Sequence, residues 1–260
     1  MLQPYVVNHT IRVRDNRMAL DKDGVMYHTR LSKGDVGRYV ILPGDPFRTD
    51  FIASKLDNPK LIAHNRELKT FTGYLNGEKV SVTSTGMGGG SAAIAIEELI
   101  KCGADTFIRV GTAGFVSDEA RNAHPEQIIV TAAVRDEGTT IHYIPVEYPA
   151  VANRFVVDAL NRASTKLGHS FMEGIIQCKD SYFGQVAPET MPTEDWLNDR
   201  WVAWQRGNVL CTDMETAITL IISQIRKCRA GSIMNFGTMD NTINTAVEAI
   251  KILIEEDKGE

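Results

Sequence analysis

Short apolar runs punctuate the chain at residues 39–42, 80–84, 106–110, 128–134, 175–178 and 209–212. Runs of this length, with little polar alternation, are the pattern of strands covered on both faces. Between them the apolar positions return at helical spacing: at Ile52 and Leu56, along 91–101, at Phe155, Val156, Leu160 and Ala163, and along 247–256. That spacing predicts helices with one buried stripe. The punctuation agrees, since Pro46 is suited to open a helix, Asn76-Gly77 marks a hairpin turn and Ser91 stands where an N-cap is needed. Strands alternating with helices specify an α/β protein, a three-layer sandwich of helices around a mixed sheet.

At 260 residues the chain has the size of one such domain with a sizeable core. Residues 1–23 are mixed, charged and weakly periodic, so the domain is placed at 24–260 and the first 23 residues are read as an N-terminal extension. A formal net charge of -5 argues against the basic surface that a general nucleic-acid or anionic-membrane binder needs. No apolar stretch is long enough to span a bilayer, and no charged segment followed by an apolar run opens the chain. A cytoplasmic location is the expectation, and Asn8-His9-Thr10 then matches a glycosylation sequon by chance. Cys102, Cys178, Cys211 and Cys228 are scattered without a C-x-x-C pair, which points to reduced structural thiols rather than a zinc or redox centre. Trp196, Trp201 and Trp204, at partly helical spacing, are expected to pack a helical insertion rather than to form a stacking platform.

The candidate chemistry lies at three strand-then-turn segments. In Ser84-Thr-Gly-Met-Gly-Gly-Gly90 a glycine turn precedes a helix, an arrangement that brings backbone amides and the helix dipole toward a small anion; plain tight turning is the alternative. In Leu42-Pro-Gly-Asp-Pro-Phe-Arg48, Arg48 falls in a helix's first turn, where it opposes the dipole unless an anion lies between them. In Thr106-Phe-Ile-Arg-Val-Gly-Thr-Ala-Gly114, Arg109 sits inside an apolar strand, a costly place for an unpaired charge.

Together with His64-Asn-Arg-Glu67, Asp180-Ser-Tyr-Phe-Gly-Gln185 and Asp213-Met-Glu-Thr-Ala217, these segments resemble the nucleoside phosphorylase/uridine phosphorylase family over about residues 27–230. The resemblance implies reversible phosphorolysis of a pyrimidine nucleoside such as uridine, giving uracil and ribose 1-phosphate. Inorganic phosphate is then a co-substrate and no cofactor is required. By resemblance, Gly44, Arg48, Arg109 and Thr112 bind phosphate, and Arg66 reaches a partner subunit's phosphate; Arg48, Arg66 and Arg109 are the catalytic candidates. Glu215 and Met214 hold the ribose, joined by His28 from a neighbouring subunit. Tyr182 stacks near the base and Gln185 reads its edge, its amide offering both an acceptor and donors. Glu67, Met87 and Ser91 match positions that hold a monovalent cation such as potassium between subunits. The family also implies a partly barrel-like sheet and a homo-oligomer, a hexamer built from dimers.

Departures from the family pattern are equally specific. Gly90 replaces a proline or alanine, which is expected to loosen the glycine turn, and Ala113 replaces a threonine. Ala187 stands where the family has an arginine two residues beyond the glutamine; Lys179 is a candidate to supply that cation, the alternative being a solvated lysine. After Gly231 part of the lid over the base is missing. A purine nucleoside phosphorylase, a nucleosidase and a nucleoside-binding homologue without turnover are the competing readings.

Overall fold

Tyr39 and Ile41 of β1 (Tyr39–Pro43) join one apolar cluster while Val40 and Leu42 join another, and all four are buried. A strand with both faces covered implies a layer of helices on each side. The computed structural model, which describes residues 24–259, has that form; the expected extension at residues 1–23 lies outside the described residues. After β1 come α1 (Pro46–Ala53), β2 (Asp57–Asn65), β3 (Leu68–Leu75), β4 (Glu78–Thr83), α2 (Gly89–Cys102), β5 (Thr106–Thr112) and β6 (Gly114–Phe115). The middle of the chain forms α3 (Asp118–Ala123), β7 (Gln127–Asp136), β8 (Ala150–Val151), α4 (Arg154–Leu167), β9 (Phe171–Lys179), α5 (Tyr182–Val186) and α6 (Glu194–Arg206). It closes with β10 (Val209–Asp213), α7 (Thr216–Ile225), β11 (Arg229–Asn235) and α8 (Met239–Gly259).

Ten strands run in the order β2-β3-β4-β1-β5-β11-β7-β9-β10-β6, with β8 beside β7. The sheet is mixed and open, not a closed barrel. β4, β1, β5 and β11 run parallel to one another, the β3–β4 and β11–β7 pairs are antiparallel, and β7, β9 and β10 again run parallel to one another. One face is covered by α2 and α7 through Ile96, Leu99, Ile218 and Ile221; the other by α1, α4 and α8 through Ile52, Leu160, Ile250 and Leu253. Full burial of each such side chain is worth about 1.5–3 kcal/mol. Asn76 and Gly77, at φ 48° and 81°, make the predicted turn between β3 and β4. Among the described residues no helix is long and apolar enough to cross a membrane.

Four expectations change here. Ser91 is not the N-cap of α2; the helix starts earlier, with Gly88 in that position. Phe155 is 48% exposed, under the guanidinium of Arg154, although Val156, Leu160 and Ala163 are buried as expected. The tryptophans do form a helix, α6, but it has no buried residue, so they are not core. α8 begins eight residues before the predicted helix, and only residues 236–238 separate it from β11.

The long α8 is tied back to the sheet by charge. Tyr39 Oη donates to Asp257 Oδ2 at 2.5 Å, and Arg229 Nη1 donates to Asp257 Oδ1 at 2.8 Å. Burial, helped by the bond to Asp257, pushes the Tyr39 hydroxyl up to about 12. An unfolded tyrosine ionises near about 10. The folded state therefore holds the proton more tightly, and the stability this gives is present below about pH 10 and lost as pH rises through about 12. Urea unfolding at neutral and alkaline pH should show this alkaline loss, and Tyr39→Phe should remove it; an identical pH dependence in the variant would reject the assignment.

Candidate active site

Arg109 is the fourth buried residue of β5, after Thr106, Phe107 and Ile108, and the alternation of the strand turns it to the α2 and α7 side, with Phe107. Only 3% exposed, it meets two carboxylates: Nε donates to Asp213 Oδ2 at 2.9 Å and Nη2 to Glu215 Oε2. Burial works against its charge, yet Glu215 and Asp213 outweigh it and raise its pKa. The third nitrogen, Nη1, is buried and has no hydrogen-bond partner. A guanidinium offers donors in a planar fork, so Arg109, which lines an open space, keeps one donor unused.

That space is a cleft of about 690 Å³. Its floor is made by chain ends: Gly44 just after β1, Gly111 to Gly114 at the end of β5, Lys179 ending β9, and Thr212 to Glu215 ending β10. The ends of β5 and β10 are joined because the chain turns at Ala113 and β6 pairs antiparallel with β10, Gly114 opposite Thr212. Asp45 caps α1 by accepting from the Phe47 amide at 2.9 Å, with Pro46 opening the helix as predicted. This places Arg48 on the cleft wall, half-buried, with burial lowering its pKa and no described residue hydrogen-bonding its guanidinium. Two cations with free donor capacity, Arg48 and Arg109, thus face one cleft.

The glycine turn is used differently from the sequence expectation. Gly88, at φ 86° where a β-carbon is disfavoured, donates its amide to Glu215 Oε1 at 2.5 Å. One amide of the turn is thereby spent on a carboxylate of the protein itself, and only Gly86 and Met87 of the turn line the cleft. Glu215 is fixed from both oxygens, and each oxygen keeps a lone pair for a further donor. Gly90 lies inside the first turn of α2 with nothing within 4 Å of an added β-carbon, whereas at Gly89 such a carbon would stand 2.4 Å from Thr139 Oγ1. Gly90→Ala is therefore expected to stabilise the fold by about 0.5–1 kcal/mol, and Gly89→Ala to destabilise it, in thermal unfolding. The opposite ranking would refute this account of the turn.

At the other end, Ser181 caps α5 through the Gly184 amide at 2.9 Å and holds Gln185 at the cleft wall, beside Gly114. Tyr182 lines the same end but is 57% exposed. Lys179 is not a solvated lysine: it is 8% exposed and its Nζ donates to Thr212 Oγ1 at 2.7 Å. Burial lowers its pKa against the opposing pull of Asp213.

Of the candidates, Gly44, Arg48, Glu67, Met87, Arg109, Thr112, Lys179, Tyr182, Gln185, Met214 and Glu215 line this one cleft, and His28, Arg66 and Ser91 do not. Ser91 donates to Glu67 Oε1 at 2.7 Å, which lowers the Glu67 pKa. His28 and Arg66 lie together at one edge of the chain, because Asn65 Nδ2 donates to the His28 carbonyl at 2.7 Å. The buried Glu98 holds this segment, taking hydrogen bonds from His28 Nδ1 at 2.7 Å and the Thr29 amide at 2.7 Å. Arg66 sits at the exposed β2–β3 turn with φ 55°. Among the described residues no cluster of His, Cys, Asp or Glu is suited to a metal ion.

Sequence reasoning passed over Asp213. It anchors Arg109 and also caps α7, accepting from the Thr216 amide at 3.1 Å and the Thr216 hydroxyl at 2.6 Å. The available signal was the strand arginine itself, which requires a buried carboxylate at another strand's end.

The sequence model of the Phosphorylase superfamily matches residues 38–248, reaching into α8 beyond the point where the resemblance weakened. The uridine phosphorylase of Treponema pallidum is 41% identical over 247 residues, 89% of this chain and 95% of that protein. The uridine phosphorylase of Thermococcus kodakarensis is 40% identical over 257 residues, covering 91% and 90%. A guanosine phosphorylase of Halorubrum lacusprofundi is 33% identical over 206 residues, covering 79% and 80%.

Proposed function

We propose, from the premise that this chain belongs to the phosphorylase superfamily, that it catalyses the reversible phosphorolysis of uridine to uracil and ribose 1-phosphate. The observation that carries the reading is the unpartnered Arg109 Nη1 beside the free guanidinium of Arg48, in a cleft whose far end holds an amide and a lysine. Phosphate lies between Arg48 and Arg109, with the Thr112 hydroxyl and the Gly44 backbone completing its surroundings. Glu215 accepts from the ribose 2′ and 3′ hydroxyls while Met214 packs on the sugar. Gln185 pairs with the uracil N3–H and a neighbouring carbonyl, Tyr182 covers the ring, and Lys179 supports the negative charge that uracil gains as the glycosidic bond breaks. Phosphate oxygen attacks the anomeric carbon, the carbon–nitrogen bond electrons leave with the base, and no covalent enzyme intermediate forms. Catalysis on this account is positioning and electrostatics.

The cleft is completed by a second copy of the chain. His28 and Arg66, which do not line the cleft of their own chain, enter a partner's in this reading. With Nδ1 engaged by Glu98, the His28 ring offers Nε2 to a sugar hydroxyl. A dimer is the minimal active unit in this reading and a hexamer of dimers the assembly. Glu67 and Ser91 supply hard oxygen ligands for a monovalent cation, with Met87 beside them, at the subunit boundary.

The test is release of uracil from uridine by the purified protein with and without inorganic phosphate. Phosphate-dependent release is the expected result. Release without phosphate would make the protein a nucleosidase, and bound uridine without release would make it a binding protein; either result rejects the proposal.

A further inference from the structure

Lys179 meets the cleft at the end of β9, and among the described residues its Nζ has one hydrogen-bond partner, the Thr212 hydroxyl. That bond is the last of a chain that begins outside the cleft. Gln177 stands two positions before Lys179, on the same face of β9, and directly opposite Thr212 of β10. Asp136, the last residue of β7, is the register partner of Lys179 on the other side of β9. Thr212 Oγ1 donates to Gln177 Oε1 at 2.8 Å, and Gln177 Nε2 donates to Asp136 Oδ2 at 2.6 Å. Arg200 of α6 closes the chain, Nη2 donating to Asp136 Oδ1. Its guanidinium lies over two rings of its own helix, 4.7 Å from Trp196 and 5.1 Å from Trp204. Of these five linked residues only Lys179 and Thr212 line the cleft.

The chain has a direction, and the chemistry of its members fixes it. A carboxylate only accepts and a guanidinium only donates. Asp136 therefore takes Arg200 on one oxygen and, with the other, holds the nitrogen of the Gln177 amide. The amide oxygen is thereby turned to Thr212. That oxygen also only accepts, so the Thr212 hydrogen goes to Gln177 and the hydroxyl is left to Lys179 as an acceptor. An ammonium group carries donors alone; Thr212 takes one of its three, which leaves two for the cleft. Were the amide to turn over, the Thr212 hydroxyl would point its hydrogen at the ammonium, donor against donor. Gln177, Lys179 and Thr212 are all buried, so a turned partner is not cheaply replaced by water.

Resting on the reading of Lys179 as the support for the departing base, we propose that Gln177, Asp136 and Arg200 are positioning residues of the reaction. Their one-way chain of hydrogen bonds fixes the Thr212 hydroxyl as an acceptor and so aims the Lys179 ammonium at the base. Through Arg200, α6 acts on the reaction although it gives no residue to the cleft. A group placed in this way is held ready before charge develops on the base.

The test compares kcat/KM for uridine and 5-fluorouridine, at saturating phosphate, in the full-length protein. Fluorine withdraws charge from the departing base, so the rate with 5-fluorouridine depends less on Lys179. Asp136→Asn puts an amide where a carboxylate took two donors. With its oxygen on Arg200, its NH2 faces Gln177, whose amide turns over and reverses the chain. Uridine should lose about tenfold and 5-fluorouridine distinctly less. Gln177→Leu, which leaves the Thr212 hydroxyl unheld, should move the ratio of the two rates in the same direction. Adding Gln177→Glu to Asp136→Asn shifts the carboxylate one step along the chain and restores its direction, so the double variant should regain most of the wild-type ratio. A chain that only held the fold together would change the amount of folded enzyme, which cancels from the ratio. A wild-type ratio in both Asp136→Asn and Gln177→Leu would overturn the proposal. Lys179→Met tests the premise separately. If it shifts the ratio and the chain variants do not, the proposal falls alone. If it leaves the ratio at the wild-type value, or if the wild-type protein does not turn over uridine, the reading of the cleft's base end falls and the proposal with it.

Discussion

Replacing Arg109 with methionine should lower kcat/KM for phosphorolysis about a thousandfold or more, the loss typical when a cation aimed at a transferring phosphate is removed. The structure adds a second consequence. Asp213 and Glu215 would be left buried without their shared counter-charge, and breaking such a cluster costs about 3–5 kcal/mol. The two effects are separable. Arg109→Lys keeps a positive charge between the carboxylates but loses the planar fork, so it should remain folded at neutral pH and still lose most of the rate. Inorganic phosphate should raise the melting temperature of the wild-type protein, because it binds only the folded form, and this protection should vanish in both variants. Near-normal phosphorolysis in a folded Arg109→Lys protein would remove Arg109 from the phosphate site.

Glu215→Gln should erase sugar discrimination. Its two oxygens accept from Gly88 and Arg109 and, in the proposed complex, from two ribose hydroxyls as well. An amide presents one oxygen and one NH2 group, so one donor that now meets an acceptor would meet another donor. The expected loss in kcat/KM for uridine is about a hundredfold, from weakened charge-assisted bonds to the sugar and a displaced Arg109. For 2′-deoxyuridine the loss should be smaller, since one of those bonds is absent from the start. The measurement is the ratio of kcat/KM for the two nucleosides, which cancels any fall in the amount of folded enzyme. An unchanged ratio would take Glu215 away from the 2′ hydroxyl.

Asp213 ties these results together. It touches Arg109 Nε and the start of α7 and acts through the arginine it orients, so it is a positioning residue. Its importance was invisible in the sequence because nothing local distinguishes a carboxylate that caps a helix from one that also steers an arginine across the sheet.

The architecture was legible from pattern alone wherever a local rule decided. Continuous apolar runs placed β1 and β5, Pro46 opened α1, and Asn76-Gly77 turned β3 into β4, because burial on two faces, a locked φ and a left-handed turn each act within a few residues. The site was legible as a set of motifs, since the turn chemistry at Arg48, Arg109, Gln185 and Glu215 is written in short segments. What those segments would share was not. The sheet brought the ends of β1, β5, β9 and β10 to one cleft, a relation among residues up to 171 positions apart, from Gly44 to Glu215. The fate of charge and aromatic surface was also a tertiary matter. Lys179 looked as suited to water as to the cleft until β10 closed over it, and the tryptophans of α6 looked like core until no element covered them. Helical spacing shows that a helix has an apolar stripe, but only the neighbouring layers decide whether that stripe meets protein or a cavity.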